Sequence, residues 1–400
     1  MMKAVGITAE YNPFHNGHVY HAETARQMSG ADCVIAVMSG DFTQRGEPAV
    51  CGKWERARAA VMSGAVDLVI ELPFAFACSK ASVFAAGAVD MLAALGAGSI
   101  SFGCEAEDPE LLRKLAKTLH IETEAIETAK VSFMKDGHSS AKAYELAVAQ
   151  ACGEEAALLL LEPNNILALE YLKQILMLRE EGTDLQDLPV KRRGSGYADA
   201  SEETGFAGAG ALRRMIRDGN NVSRFIPGSP DFADVKRMEE RYLQMLKGIV
   251  LRCGPEEIRS MYGVGEGMEH SIIRETRRAS DLNELISSLT SKRYTSATVR
   301  RALTHILAGA GWEEVDRCAA RKPAAGRLLA AGKRGRAYMR ELGDDGFRII
   351  TNINKEEDDL DPGSAELLRL DERAADLYHL LRGQDLYSAS DRVRRPYIEK

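Results

Sequence analysis

The spacing of apolar residues changes along the chain. Over residues 1–190, short β-branched runs alternate with stretches of helical periodicity, which is the pattern of an α/β fold with a parallel sheet. Such a sheet binds its ligands beyond the carboxyl ends of its strands. The predicted strands are residues 4–9, 33–38, 68–72, 99–102 and 189–193, and the predicted helices between them are residues 18–29, 53–63, 81–95 and 165–178.

From about residue 231 the strand signals disappear and helical spacing dominates, for example over residues 235–251 and 296–307. The predicted fold class is therefore α/β. A Rossmann-like domain with a parallel sheet is expected over residues 1–230, and a mostly helical domain over residues 231–400.

Charge is unevenly distributed in this acidic chain. The formal net charge is -7, yet residues 271–348 contain 16 Lys and Arg against 9 Asp and Glu. A basic segment of this kind is typical either of a phosphate-binding face or of a solvated helical surface. Charge alone leaves both interpretations open.

The seven cysteines form neither a CxxC pair nor a Cys/His ladder, so they predict reduced thiols and no metal bound by the protein itself. The sequence shows no secretory leader, and no apolar run is long enough to cross a bilayer. We therefore expect a cytoplasmic protein with no membrane partner.

The first predicted strand runs into a segment with two histidines, called here the histidine loop (residues 10–18). His15 and His18 flank a turn into the first helix, where backbone N–H groups and the helix dipole favour an anion. Gly17 permits close approach of a phosphate, and Pro13 stiffens the turn. Two surface histidines are the alternative, but the NPFHNGH context between a strand and a helix favours a phosphate site.

Polar residues follow the other predicted strands as well. Arg45, in the polar loop (residues 39–48), and Lys53, on the next helix, are predicted to face the same crevice and to neutralise a triphosphate. Gly103 ends the fourth strand and allows a base or ribose to approach the backbone. Asn165 fits either a nucleotide contact or a helix N-cap.

Seven segments occur in an order that resembles one enzyme family. They read AEYNPFHNGHVYH, SGDFTQRGEPAV followed by KW, DLVIELPFAFA, SFGCE, PNNILALEYLK, RRGSGY and SKRYTSATVRRALTHIL. The first is similar to the signature of the HxGH nucleotidyltransferase superfamily. The ordered set, from Lys3 to about Ile349, resembles the tRNA(Met) cytidine acetate ligase family.

The resemblance implies an enzyme that joins acetate to ATP as acetyladenylate and transfers the acetyl group to N4 of the wobble cytidine of elongator tRNA(Met). It implies ATP, with Mg²⁺, as a substrate, and acetate and the tRNA as partners. Taken with the residues above, His15, His18 and Lys53 are the predicted catalytic residues, and Arg45 and Arg213 are candidate phosphate ligands. The predicted ATP-binding residues are Ile7, Thr8, Ala9, Glu10, Tyr11, Asn12, Pro13, Phe14, His15, Asn16, Gly17, His18, Gly103, Asn164, Asn165 and Arg192.

Two stretches depart from the family pattern. Members carry a Ser-x-Thr-x-x-Arg type signature at a later helix start, where this chain has Gly208 and Gly210 before Arg213. Ala198 stands where a histidine is expected. Backbone N–H groups at a glycine-rich helix start can still bind phosphate, so weaker affinity for ATP is the expected consequence.

Cations and an aromatic residue cluster in residues 291–301. Lys292, Arg293, Tyr294, Arg300 and Arg301 suit the phosphates and a stacked base of an anticodon arm. A solvated helix face with Tyr294 packed inward is the alternative interpretation.

Two rival functions remain open on the sequence. A nucleotidyltransferase that adenylylates a phosphorylated small metabolite would not need the basic helical half. A non-catalytic RNA-binding module would account for the missing Ser/Thr pair. Pyrophosphate release on adding ATP and acetate separates both enzymes from the module, and dependence of the product on tRNA separates the two enzymes.

Overall fold

The structure is a computed structural model, and it describes residues 2–138, 140–191, 200–201, 205–343 and 346–400. The strands in these ranges are β1 (Ala4–Ala9), β2 (Cys33–Ser39), β3 (Leu68–Leu72), β4 (Ser99–Cys104), β5 (Gln186–Lys191), β6 (Ala200–Ser201), β7 (Phe206–Ala207), β8 (Ala325–Ala331), β9 (Arg348–Ile350) and β10 (Tyr397–Ile398).

The helices of the α/β half are α1 (Asn16–Ser29), α2 (Lys53–Met62), α3 (Phe74–Ala77), α4 (Ala81–Ala94), α5 (Pro109–Ile121), α6 (Thr123–Lys135), α7 (Ser140–Cys152), α8 (Glu154–Leu158), α9 (Pro163–Glu180) and α10 (Ala209–Arg217). Those that follow are α11 (Val235–Arg252), α12 (Pro255–Arg259), α13 (Met268–Arg278), α14 (Leu282–Leu289), α15 (Ser296–Ala308), α16 (Trp312–Ala319), α17 (Lys333–Leu342), α18 (Ile353–Glu356), α19 (Pro362–Arg382) and α20 (Leu386–Ala389).

Five parallel strands form the centre of one sheet, in the order β3-β2-β1-β4-β5. The direction in which successive strands are added reverses between β1 and β4, and the crevice at such a switch point is where an open α/β sheet binds ligands. The histidine loop follows β1, and Gly103 lies near the end of β4. The predicted α/β fold with a parallel sheet is confirmed.

Apolar side chains cover both faces of this sheet. In β1, Val5 and Ile7 pack into a cluster with residues of α1 and α2, whereas Ala4 belongs to a cluster on the opposite face. β2 alternates in the same way, with Val34 on the first face and Ile35 on the second. Strands covered on both faces are fully apolar, which explains why the runs in the sequence predicted them so directly.

Three strands come from the C-terminal half, where the sequence predicted none. β8 pairs antiparallel with β3, and β9 and β10 pair with β8. β8 has the sequence AGRLLAA and is buried at every position. Alanine and leucine favour helices, and a strand buried on both faces shows no alternation, so the sequence, which predicted a mostly helical C-terminal half, carried no signal for these strands.

The region from α11 to α16 is helical, as predicted. It shares a core with the sheet, because Tyr242 and Leu246 of α11 and Leu303 of α15 belong to the same apolar cluster as Ile35 of β2. The polar loop lies between the two: the Gly46 carbonyl accepts a 2.7 Å hydrogen bond from Thr304 Oγ1 of α15. The proposed boundary near residue 230 therefore divides the chain without dividing the core. Among the described residues, no helix combines the length and the apolar character that crossing a bilayer would need.

Candidate nucleotide-binding site

The two imidazoles of the histidine loop lie against each other at the start of α1. His15 is the N-cap residue, and its Nδ1 accepts a hydrogen bond of 3.0 Å from Gly17 N–H. The backbone N–H of His15 donates to Nδ1 of His18 at 3.2 Å, and the two ring centroids are 3.8 Å apart. Because each Nδ1 is an acceptor, the neutral form of each ring carries its proton on Nε2. Each Nε2–H is therefore a hydrogen-bond donor, that of His15 being buried beneath the loop surface.

Gly17 is required here for a reason that the sequence did not reveal. A Cβ at this position would lie 2.8 Å from Cε1 of His15, closer than real side chains approach. The glycine thus makes room for the imidazole over the first turn of the helix, and the predicted close approach of phosphate is an additional use of the same space.

The chain before the histidines is braced by buried contacts. The Asn12 side-chain carbonyl accepts from Val50 N–H at 2.8 Å, and the Asn12 backbone carbonyl accepts from Nη1 of Arg213 at 3.0 Å. The ring of Tyr11 meets the edge of His18, with centroids 4.9 Å apart. These contacts hold His18 from one side while the backbone of His15 holds it from the other, so the site is preorganised.

Glu10 brings a carboxylate to the same strand end. Its Oε1 accepts a 2.7 Å hydrogen bond from the backbone N–H of Gln44 in the polar loop. Burial raises the pKa of Glu10 most strongly and Glu47 adds to the rise, while the Gln44 hydrogen bond and the charges of Arg213 and Arg45 lower it, with a net rise above the usual value. Arg213 and Arg45, the arginines predicted as phosphate ligands, therefore lie close enough to the end of β1 for their charges to lower the pKa of Glu10.

The end of β4 is held by two asparagines of α9. The side-chain carbonyl of Asn165 accepts from the backbone N–H groups of Glu105 and Ala106, at 2.8 and 3.1 Å. Asn164 donates to Oε1 of Glu105 at 2.6 Å. The N-cap of α9 is Glu162, so the N-cap interpretation of Asn165 is wrong. Asn165 is 1% exposed, and its contacts shape the backbone just after Gly103.

Lys53 is buried in a network of charges. Its Nζ lies 2.8 Å from Glu71, 2.6 Å from Asp391 and 3.5 Å from Asp41, while Arg327 pairs with Glu71 and Asp391 at 2.6 Å each. Burial and Arg327 lower the pKa of Lys53, but the three carboxylates outweigh them and raise it above its usual value. With 1% of its surface exposed, this ammonium group neutralises carboxylates in the core, and the geometry does not support the predicted catalytic role.

Comparison with known proteins decides the family. The chain matches the HIGH Nucleotidyl Transferase family over residues 2–392. It is 37% identical over 367 residues to the tRNA(Met) cytidine acetate ligase of Caldicellulosiruptor saccharolyticus, covering 88% of each chain, and 37% identical over 355 residues to that of Bacillus subtilis, covering 85% of this chain and 84% of the other. The chain belongs to the tRNA(Met) cytidine acetate ligase family.

Solved structures agree with that assignment to the acetate ligase family. The crystal structure of apo TmcAL from Thermotoga maritima covers 100% of both chains at 28% identity, with a TM-score of 0.88. The same protein bound with alpha-thio ATP matches with a TM-score of 0.86, again over 100% of both chains. Members of this family are enzymes, as the sequence predicted.

Of the two departures from the family pattern, the structure describes the one at Gly208 and Gly210. Gly208 is the N-cap of α10 with φ -69° and ψ 146° and has no side-chain cap, and Gly210 lies within the helix. Neither has a positive φ, so the replacement of hydroxyls by glycine is not explained by a left-handed backbone. Arg192 and Ala198 lie outside the described residues.

The predicted RNA contacts fall into two groups in the structure. Lys292 and Arg293 are exposed in the turn before α15. Arg300 lies 3.5 Å from Glu47, and Arg301 donates to the Gln44 carbonyl at 3.3 Å, so both are engaged with the polar loop. Tyr294 is half-buried beneath Arg293, and its hydroxyl donates to the backbone carbonyl of residue 266 at 3.3 Å, which favours the inward-packed interpretation.

Two residues with roles at the site went unassigned on the sequence alone. Arg56 is buried and donates to the backbone carbonyls of Glu10 at 2.5 Å and Ser39 at 3.2 Å, so it fixes the carboxyl ends of β1 and β2. His21 lies one turn after His18, and its Nε2 is 3.0 Å from Ser101 Oγ of β4. The three-residue spacing of the histidines at 15, 18 and 21 is the only signal that could have indicated it.

Proposed function

We propose that this chain is an ATP-dependent ligase that acetylates the wobble cytidine of tRNA(Met), with ATP bound over the histidine loop. The observation that carries the proposal is the pair of stacked imidazoles at the N-terminus of α1, each with Nδ1 held by a backbone N–H group. Preorganised donors at a helix start stabilise negative charge that develops on phosphate. The names of the relatives point to cytidine of tRNA(Met) and to acetate as the other substrates.

Acetate is a poor acyl donor and cytidine N4 is a weak nucleophile, so the acetyl group must be activated before transfer. Because the leaving group of acetate would be oxide, an acetate oxygen first attacks the α-phosphorus of ATP and pyrophosphate leaves. The product, acetyladenylate, has AMP as its leaving group. Cytidine N4 then attacks the acetyl carbonyl carbon. His15 and His18 act in the first step, where the charge of the α-phosphate and of the departing pyrophosphate must be stabilised.

Mg²⁺ belongs to this proposal as the counter-ion of ATP. Magnesium is commonly held by substrate phosphates and only one or two carboxylates, and the described residues contain no cluster of three or more His, Cys, Asp or Glu that would hold a metal by itself. Arg213 and Arg45 would share the neutralisation of the triphosphate. Because ATP and tRNA are its substrates, we place the protein's activity in the cytoplasm.

The test is a pair of measurements on one preparation. Pyrophosphate release is measured with ATP, with and without acetate, and nucleosides of tRNA(Met) incubated with the protein, ATP and acetate are analysed by mass spectrometry. We expect acetate-dependent pyrophosphate release and an acetylated cytidine. Release with a phosphorylated metabolite in place of acetate would instead support a metabolite nucleotidyltransferase, and tRNA binding without release would support a non-catalytic RNA-binding module.

The variant His18→Ala connects this activity to the histidine loop. Loss of one preorganised donor is expected to slow acetate-dependent pyrophosphate release by on the order of 100-fold or more, while the melting temperature stays near that of the wild type. His270→Ala is the control, because that histidine is exposed on α13. A wild-type rate in His18→Ala would remove the histidine loop from the reaction.

A further inference from the structure

Glu10 is a carboxylate at a site that is otherwise built for anions. It is the first residue of the histidine loop, it is partly exposed, and its Oε1 is fixed by the N–H of Gln44. The sequence placed Glu10 among the predicted ATP-binding residues, but a carboxylate side chain close to a triphosphate is repelled by it. Glu10 therefore needs a different partner, and a residue of this kind is suited to accept a hydrogen bond or a proton.

The polar loop that fixes Glu10 also joins the helical half. Gln44 donates its N–H to Glu10, and its carbonyl accepts from Arg301 of α15 at 3.3 Å. Gly46 lies so close to α15 that a Cβ there would be 2.7 Å from the Arg301 Cα. One peptide segment thus contacts the end of β1 on one side and α15 on the other.

The residues proposed to bind RNA lie next to the same helix. The exposed cations Lys292 and Arg293 lie in the turn before α15, where a tRNA phosphate would be bound. The polar loop contacts α15 through Arg301 and fixes Glu10 through Gln44. It thus connects the candidate RNA-binding turn to a carboxylate at the end of β1.

We propose that Glu10 is the general base of the second half-reaction, which accepts the proton of cytidine N4 as that nitrogen attacks the acetyl group. The inference rests on the proposed function. The N4 lone pair forms the bond to the acetyl carbonyl carbon, the bond between that carbon and the phosphate oxygen breaks, and AMP leaves with the electron pair. The N4 proton passes to the Glu10 carboxylate, which returns it to water.

The surroundings of Glu10 suit this role. Burial raises its pKa above that of an ordinary glutamate, and a more basic carboxylate is a better proton acceptor near neutral pH. The charged groups that act on it are Arg213 of α10 and Arg45 and Glu47 of the polar loop. Burial raises the pKa of Tyr171 of α9 and of Cys78 after α3, and the charge of Glu10 adds to both rises.

Glu10→Gln separates the two half-reactions. Glutamine keeps an Oε1 acceptor for the Gln44 N–H but cannot take up the proton. We expect acetate-dependent pyrophosphate release to persist, while single-turnover transfer of labelled acetyl from the adenylate to tRNA(Met) falls by about 100-fold or more. Glu47→Gln is the matched control, because it removes a carboxylate of the same loop, and transfer there should stay at the wild-type order.

The pH dependence adds a readout that a structural role would not change. In the wild type, the transfer rate should rise with pH through the pKa of Glu10, and this limb should disappear in Glu10→Gln. Wild-type transfer with the limb intact in Glu10→Gln would overturn the inference. A variant that instead needs much more ATP for pyrophosphate release would make Glu10 a nucleotide contact and would also overturn it. Wild-type protein that releases no pyrophosphate with acetate would contradict the proposed function itself, which is a separate failure.

Discussion

The position of the His15 ring depends on the absence of a side chain at Gly17, in the first turn of α1. Because a Cβ at residue 17 would lie 2.8 Å from Cε1 of His15, Gly17→Ala should displace the imidazole without disturbing the sheet. Displacements of about 1 Å at a catalytic group cost on the order of 100-fold in rate. We expect a loss of this size in acetate-dependent pyrophosphate release, with a melting temperature close to that of the wild type.

Gly98→Ala is the control for this substitution, since a Cβ at that glycine would meet nothing within 4 Å and its φ is not positive. It should retain full activity. If Gly17→Ala is equally active, the His15 ring can move without consequence, and the stacked arrangement is not what catalysis requires.

The juxtaposition of His15 and His18 could be predicted from the sequence because it depends on local spacing: two rings three residues apart, between a strand and a helix. The role of Lys53 could not. Its ion-pair partners Glu71 and Asp391 are 18 and 338 residues away along the chain, and no local pattern indicates that they meet. A cation on a helix after a strand looks the same in the sequence whether it faces a ligand or the core.

The start of α10 is an element that this chain leaves without a side-chain cap. Gly208 has φ -69° and ψ 146°, angles that any residue adopts, so Gly208→Ser should be tolerated and should cap the helix. The gain over glycine is a few tenths of a kcal/mol, which is roughly 0.4 °C in the melting temperature of a chain of this length. If this helix start faces the phosphates, the dissociation constant of ATP should fall as well.

The neighbouring substitution Ala209→Ser is the control, because a serine inside the first turn does not have N-cap geometry. Thermal unfolding of both variants tests whether the serine caps α10, and ATP titration tests whether this helix start faces the phosphates. A lower melting temperature for Gly208→Ser would contradict the backbone conformation, and unchanged ATP affinity would show that α10 no longer takes part in the nucleotide site.

Substitutions in the turn before α15 and within α15 should have different effects, because the turn carries exposed cations and the helix holds the polar loop. Lys292→Ala with Arg293→Ala removes two exposed cations, so tRNA affinity should fall and its salt dependence should flatten by roughly 0.7 to 0.9 of a unit of slope per cation. Pyrophosphate release should be unchanged. Arg301→Ala should lower both the tRNA affinity and the rate of pyrophosphate release, because its guanidinium holds the carbonyl of Gln44.

The control for RNA binding is Lys236→Ala with Arg237→Ala, another exposed pair of cations on α11 that lies outside the basic segment. Filter binding or fluorescence anisotropy at several salt concentrations gives the slopes. If the two double variants bind tRNA alike, the basic segment is only a solvated surface. The sequence grouped Arg300 and Arg301 with Lys292 and Arg293 because it shows charge but not which side of a helix is covered.

Across the whole molecule, a buried group of ionisable side chains joins the two halves. Asp41, Glu71 and Lys53 come from the α/β half, and Arg327, Asp371 and Asp391 from the C-terminal half. Burial, with a further contribution from Glu71, raises the pKa of Asp371 to about 8. Since the folded pKa lies above the unfolded one, Asp371 supports the fold fully only below about pH 4, and this contribution is lost as pH rises to about 8.

Asp371→Asn should remove that dependence while keeping an oxygen for the Phe74 N–H, which donates to Oδ1 at 2.6 Å. The free energy of unfolding of the variant should gain on the wild type by on the order of 1 kcal/mol per pH unit between about pH 4 and 8, and no further above that. Urea unfolding at pH 5, 7 and 9 measures it, with the exposed Asp358→Asn as control. A difference that is the same at all three pH values would contradict the assignment.

The antiparallel docking of β8 on β3 has a consequence for how the chain is made. The ribosome completes Leu68–Leu72 more than 250 residues before Ala325–Ala331, so β3 is an open sheet edge throughout the synthesis of the chain between them. Glu71 then places charge on that edge strand, with Lys53 of the same half paired to it at 2.8 Å, and charges on an edge strand hinder the pairing of strands from neighbouring nascent chains. When β8 arrives, Arg327 neutralises the same carboxylate at 2.6 Å. We therefore expect the same glutamate to hinder aggregation of the unfinished protein before it becomes part of the core.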